Sequence, residues 1–336
     1  VGIFLIMKNI NYLLTRVLCS LLLAQISLAQ RDTTMSDRSS KLIAEPTVFA
    51  PSMISTGDYE AAQEFSPDGL TLYYLKLTPD FNFWTIVFSR FENRVWTSPQ
   101  IAPFSGQYID GDPFITSEGD RFFFISGRPL PSSKSKETKN FDIWVMERTT
   151  KDVWGVPQPV GSPVNSEKSE YFPTLAANGT LYFGSRRDGG KGGCDLYRSR
   201  FVNGKFQEPE NLGDSINTTF DEYEPFIASD ESYLIFMADS RPDGLGGYDL
   251  YVSYNKNGKW TKAENLGAPI NTSANELSGK MTRDGKYFFW TSSRSSIDKS
   301  KEKPWTITEM TTALHSPQNG LGDIYYIDAA RLNLER

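Results

Sequence analysis

The chain has 336 residues, of which 39% are hydrophobic, 13% aromatic and 23% charged, with a formal net charge of −6. These proportions exclude a disordered or collagen-like polymer and allow a sizeable core. The acidic balance argues against nucleic acid as a partner, because phosphate backbones are gripped by clustered Lys and Arg.

The chain starts with what reads as an export signal, residues 1–29. From Met7 it runs MKNINYLLTRVLCSLLLAQISLAQ, with Lys8 and Arg16 ahead of a largely apolar stretch and Ser27-Leu28-Ala29 as a small-x-small cleavage site. The apolar run is too short for a stop-transfer helix, and no later stretch is long enough to span a bilayer. Cys19 follows RVL, a poor lipid-attachment signal. Cleavage after Ala29 leaves a chain at −8 with Cys194 as its one cysteine, so no internal disulfide is expected. Residues 30–41 read as a flexible linker and 42–336 as one folded unit, periplasmic or secreted.

Within that unit, turns end at Gly69, Gly119, Gly179, Glu231 and Gly285, spaced 50, 60, 52 and 54 residues apart. After each comes an apolar, aromatic strand: LTLYYL, RFFFIS, TLYFGS, SYLIFMA and KYFFWTS. Asp-Gly and Asn-Gly between such runs are hairpin signals. A third strand follows in each copy, opening on Asp142, Asp195, Asp249 and Asp323 in four of them. A fourth strand is expected around Trp96, Trp154, Phe206 and Trp260. The glycine-rich DGGKGGCDLYRS at 188–199 lacks the Gly-Lys-Ser/Thr of a phosphate loop and the tandem repeats of a calcium solenoid. It recurs as DGLGGYDLYVS at 243–253, and so reads as the turn before a third strand. Four antiparallel strands per unit predict a five-bladed β-propeller. The last copy ends after its third strand, and residues 45–50 are expected to complete it by pairing with 322–328, closing the ring.

FSPDG, FDIWVMER, SRRDGGKGGCDLYRSR, SRPDGLGGYDLYVS and GDIYYIDA resemble the WD40-like (PD40) propeller repeat of the TolB type, most of all exported Bacteroidota propellers. The resemblance covers residues 42–330, with five blades here where TolB-like propellers usually have six. It implies a non-catalytic binding or interaction scaffold in the cell envelope. The expected partner is an envelope protein or peptide, or a glycan, for a monomer that needs no cofactor and no metal.

Nine residues before each turn position stand Glu60, Asp110, Glu170, Glu222 and Glu276, at the start of each first strand. Five carboxylates ringing one mouth of a propeller channel would focus negative potential on a cationic ligand. Strand two ends in a base in every copy: Lys76, Arg128, Arg187, Arg241 and Arg294. Position −9 then faces about +8 across the hairpin, so each acid can instead pair with its own base, Glu170 with Arg187 for example. Asp112 and Glu224 break the repeat by adding acids in two copies. They support an alternative activity, carboxylate-dependent glycoside hydrolysis. His315 is the single histidine, which excludes a His-based metal cluster, and it reads as a solvated loop residue. Two long loops, 129–140 and 295–322, join strands two and three; the second carries Trp305 beside a basic run and is a candidate for recognition.

Overall fold

The computed structural model describes residues 42–131, 140–150, 153–298, 300 and 302–334. The expected signal segment and linker, and most of the 129–140 loop, lie outside the described residues. The expected five-bladed β-propeller is the fold, built from antiparallel sheets whose first strands touch one another in ring order.

The first strands are Tyr59–Phe65, Asp110–Ile115, Glu170–Leu175, Glu222–Ile227 and Glu276–Met281, in blades I to V. The second strands are Thr71–Leu77, Arg121–Ser126, Leu181–Ser185, Tyr233–Asp239 and Tyr287–Ser292. The third are Trp84–Glu92, Asp142–Thr150, Asp195–Ser199, Tyr248–Lys256 and Asp323–Asp328. Second strands are buried on both faces because each blade is sandwiched between two others. Phe123, Ile125, Leu181 and Phe183 join blades II and III, and Tyr182, Leu234, Phe236 and Tyr251 join III and IV.

The fourth strand is shorter than expected. In blades I, II and IV it is two separate pairs of residues, such as Val95–Trp96 and Gln100–Ile101. In blade III, Phe206 sits in a small hairpin of its own and Glu210–Asn211 pairs with the third strand. Blade V takes its fourth strand from the other end of the chain, with Thr47 opposite Tyr326 and Val48 opposite Tyr325. Phe49 follows, fully buried, with ring centroids 5.2 Å from Phe289, 5.7 Å from Tyr326 and 5.8 Å from Trp96.

The glycine-rich loops are held by their own aspartates. The Asp195 carboxylate accepts from the Lys191 and Gly192 amides, and Asp249 accepts from Leu245 and Gly246. A Cβ on Gly192 would overlap the Phe220 carbonyl of blade IV, and one on Gly246 the Ala274 carbonyl of blade V. Glycine is needed there for close approach between blades. Glu231 stands where the other hairpins have glycine, at φ 59°. Its carboxylate reaches blade III, accepting from Tyr182 Oη at 2.6 Å and Asn178 Nδ2 at 2.8 Å. Those two bonds offset the left-handed backbone.

Candidate functional site at the channel mouth

Each first strand carries one of the five repeated acids as its first residue, or its second in blade I, and all five are 0% exposed. Each is paired within its own blade: Lys76–Glu60 at 2.9 Å, Arg128–Asp110 at 2.8 Å, Arg187–Glu170 at 3.3 Å, Arg241–Glu222 at 2.6 Å and Arg294–Glu276 at 3.4 Å. In four blades a Ser or Thr four residues earlier gives the acid both its amide and its hydroxyl, as Thr218 does for Glu222. Burial lifts the pKa of Glu60, Glu170 and Glu222, and these bonds pull it back. The acids are therefore buried and paired within their own blades.

The register corrects the expected facing. Glu170 lies opposite Ser185, and Glu60 opposite Lys76. Arg187 reaches back two residues, donating through Nε to Ser185 Oγ and through Nη2 to the Val164 carbonyl. Its guanidinium rests 5.3 Å from the Phe183 ring centroid and 5.1 Å from that of Tyr197. Arg128, Arg241 and Arg294 repeat this seating on aromatics of strands two and three. A planar, forked cation suits such a slot better than an ammonium does.

Two residues past each acid, the first strand bulges and its backbone turns left-handed: Ala62 at φ 53°, Asp112 at 54°, Phe172 at 53°, Glu224 at 52° and Ser278 at 54°. Non-glycine residues at positive φ carry strain, often at functional sites. Here it recurs in every blade, so it belongs to the architecture. What differs between blades is the side chain presented. Residue pairs at the bulge run Ala61-Ala62, Gly111-Asp112, Tyr171-Phe172, Tyr223-Glu224 and Leu277-Ser278. Repetition marks the frame, and variation marks the place where a ligand can be read.

These varied positions join a continuous arc of half-buried rings. Trp84 lies 5.3 Å from Phe141, Phe141 5.9 Å from Tyr171, Tyr171 5.9 Å from Phe172, and Phe172 6.1 Å from Tyr223, by ring centroids. The arc runs across four blades. Gly111 lets it form, since a Cβ there would come 2.8 Å from the Trp84 indole nitrogen. Arg186 donates to Tyr223 Oη at 2.8 Å, and that hydroxyl donates to Asp221 at 2.7 Å. The rings come from four separate sequence segments, and the sequence reading did not identify them; the aromatic pairs Tyr171-Phe172 and Tyr223-Glu224 beside the repeated acid were the available signal.

Inside the arc sit the two extra acids. Asp112 accepts from the Phe172 amide at 3.1 Å, and Glu224 accepts from the Ser278 amide. Burial, then the charge of Glu224, pushes Asp112 well above the usual carboxylate range. Burial pushes Glu224 up to about 7, against the opposing pull of the Ser278 bond and the Lys280 charge. Deeper in, Lys280 bonds Glu64 at 3.1 Å and the Pro113 carbonyl at 3.0 Å, while Arg283 donates to the Ile115 carbonyl at 2.9 Å. This network ties blades V, I and II together.

The remaining candidates lie elsewhere. Trp305, 37% exposed, precedes a helix, Ile307–Leu314, that begins with a capping box from Thr306 and Glu309 and buries none of its residues. His315 ends that helix, exposed, its Nδ1 2.7 Å from the Thr311 carbonyl. The helix approaches blade I, where Asn319 donates to the Gly57 carbonyl at 3.0 Å. Cys194 is buried, and burial raises its thiol pKa well above normal. A pocket of about 350 Å³ between the outer strands of blades III and IV is lined by Arg198, Asn211 and Trp260. Among the described residues no group of three or more His, Cys, Asp or Glu is placed to hold a metal, and no helix is long and apolar enough to cross a membrane.

No protein-family model matches the chain, and no curated protein matches it in sequence. Solved structures do share its fold. An α-L-arabinofuranosidase from Lactobacillus brevis superposes with a TM-score of 0.50 at 10% identity, over 83% of this chain and 92% of that one. A putative glycoside hydrolase from Bacteroides ovatus gives 0.45 at 7%, over 83% and 89%. A protein of unknown function from Dyadobacter fermentans gives 0.44 at 13%, over 75% and 79%. At such identities the likeness speaks for the propeller fold alone.

Proposed function

We propose that this propeller binds a carbohydrate chain across its channel mouth, with the aromatic arc as platform and Asp112 and Glu224 at its floor. The observation that carries this is the arc from Trp84 to Tyr223, which runs over four blades and ends beside Glu224. Ligand sites of this kind are concave and aromatic, with a few placed polar groups that fix orientation. Aromatic faces take the C–H faces of sugar rings, and carboxylates take their hydroxyls. Export belongs to the proposal, supported by Lys8, Arg16 and Ser27-Leu28-Ala29. So does kinship with WD40-like TolB-type repeats, supported by SRRDGGKGGCDLYRSR and SRPDGLGGYDLYVS.

A glycan array probed with residues 30–336 tests the binding. Retention of defined oligosaccharides, lost on Tyr171→Ala and Tyr223→Ala, is the expected result. Retention of envelope proteins or peptides with a blank array would replace the ligand class. N-terminal sequencing of native material should begin near Gln30.

Glycoside hydrolysis is the second reading, favoured by Glu224. A carboxyl still protonated near neutrality suits a general acid, and a neighbouring carboxylate can serve as its partner. Release of reducing ends from the oligosaccharides retained on the array, abolished by Glu224→Gln, would establish it; retention without release is expected for a binding scaffold.

A further inference from the structure

Deeply buried carboxylates at the inner strands of this protein come with a cation. The five repeated acids each have their own Lys or Arg, and Glu64 has Lys280 and Arg283 at 3.1 and 3.5 Å. Asp112 and Glu224 depart from this. Their hydrogen-bond donors are the Phe172 and Ser278 amides, and neither carboxylate forms an ion pair among the described residues. Lys280 is close enough for its charge to be felt by both, yet its ammonium is bonded to Glu64 and the Pro113 carbonyl. Beside them Ser278, 3% exposed, lies with its hydroxyl against the Glu224 carboxylate without a hydrogen bond of good geometry.

A buried carboxylate and a half-buried one, neither with a paired cation, and a buried hydroxyl without a hydrogen bond of good geometry are costly on their own. All three come from the bulge position of their blades. A primary ammonium carries three N–H donors and one positive charge. We propose that Asp112, Glu224 and Ser278 hold the protonated amine of an amino sugar in the bound chain, one acceptor for each N–H. This rests on the carbohydrate reading of the mouth and names its ligand class: a glycan with a free, unacetylated amine.

The test is calorimetric titration of residues 30–336 at pH 7 with two oligosaccharides of one length, the glucosamine tetramer and the N-acetylglucosamine tetramer. The glucosamine tetramer should bind at least ten-fold more tightly. Glu224→Gln and Asp112→Asn, each checked by thermal melting, should erase that preference, lowering affinity for the glucosamine tetramer at least ten-fold more than for the acetylated one. Ser278→Ala should reduce the preference several-fold. Equal affinities, or a preference for the acetylated tetramer, overturn the amine site and leave the carbohydrate reading standing. Binding of neither tetramer, with a blank glycan array, overturns both. A preference that survives in both carboxylate variants places the amine elsewhere and also overturns the proposal.

Discussion

Asn217 Oδ1 accepts from the Leu196 amide at 2.8 Å while its Nδ2 donates to the Leu196 carbonyl at 2.9 Å, so one side chain completes a stretch of ladder beside the third strand. Asn165 treats Ile143 in the same way, and Asn271 treats Leu250. In blade V, Ser55 Oγ does both jobs for Ile324. Asn217→Ala would leave the buried Leu196 N–H unpaired, while the Leu196 carbonyl keeps the Leu212 amide at 3.1 Å, and should lower stability by about 1–3 kcal/mol in urea unfolding. Asn217→Ser, the solution used by blade V, should lose less than Asn217→Ala.

The repeated acids should behave as structure. Glu222→Gln leaves Arg241, whose side chain is 7% exposed, without its counter-charge. The cost should be about 3 kcal/mol, as for other broken buried pairs. Glu170→Gln should go the same way by calorimetry. Calcium should leave the melting temperature of wild type and both variants unchanged.

Glu224→Gln should have the opposite effect. Burial pushes this carboxyl up from 4.5 to about 7. Between those values the native state keeps a proton that the unfolded chain has released, so its contribution is present at low pH and lost as pH rises through the window. Glu224→Gln should therefore hold or raise stability at pH 7. It should also flatten the fall in stability between pH 5 and 7 by about 1.4 kcal/mol per pH unit. Asp323, raised to about 7, and Asp142, raised to about 6, keep part of the remaining slope, together with the other raised carboxyls such as Asp112.

Closure of the ring depends on Phe49. Phe49→Ala removes a fully buried ring that touches both blade V and blade I, at a cost of about 3–5 kcal/mol. A chain beginning at residue 56 also bares the third strand of blade V as an open edge. It should melt lower than residues 42–336 and aggregate on concentration, as read by light scattering.

The blades were legible in the sequence because hairpin turns and apolar strands are local signals repeated five times. Pairing of Glu170 with Arg187 was legible as a spacing, but its geometry was not, since the Glu170–Ser185 register and the reach of a long side chain are set in three dimensions. Asn165, Asn217 and Asn271 carry a pattern of their own, Asn followed by Ser or Thr and then Glu four residues later. It went unread because an asparagine in a linker looks like any turn residue. Asp112 and Glu224 stood out as breaks in the repeat. That Trp84, Phe141 and Tyr171 meet was hidden, because they lie on the facing ends of different blades.

Blade V has a further consequence. Its sheet draws on residues 47–48 and 276–328, and the Ile43 amide donates to Asp328 at 2.5 Å, so the two described ends of the chain lie side by side. Spatial order round the ring is thus independent of covalent order, and any blade can serve as the first. The exposed Asn203-Gly204 turn, with both residues at positive φ, is a natural place to cut. A circular permutant joined from residue 334 to residue 42 and opened there would move the seam from blade V to blade III while leaving the channel mouth intact.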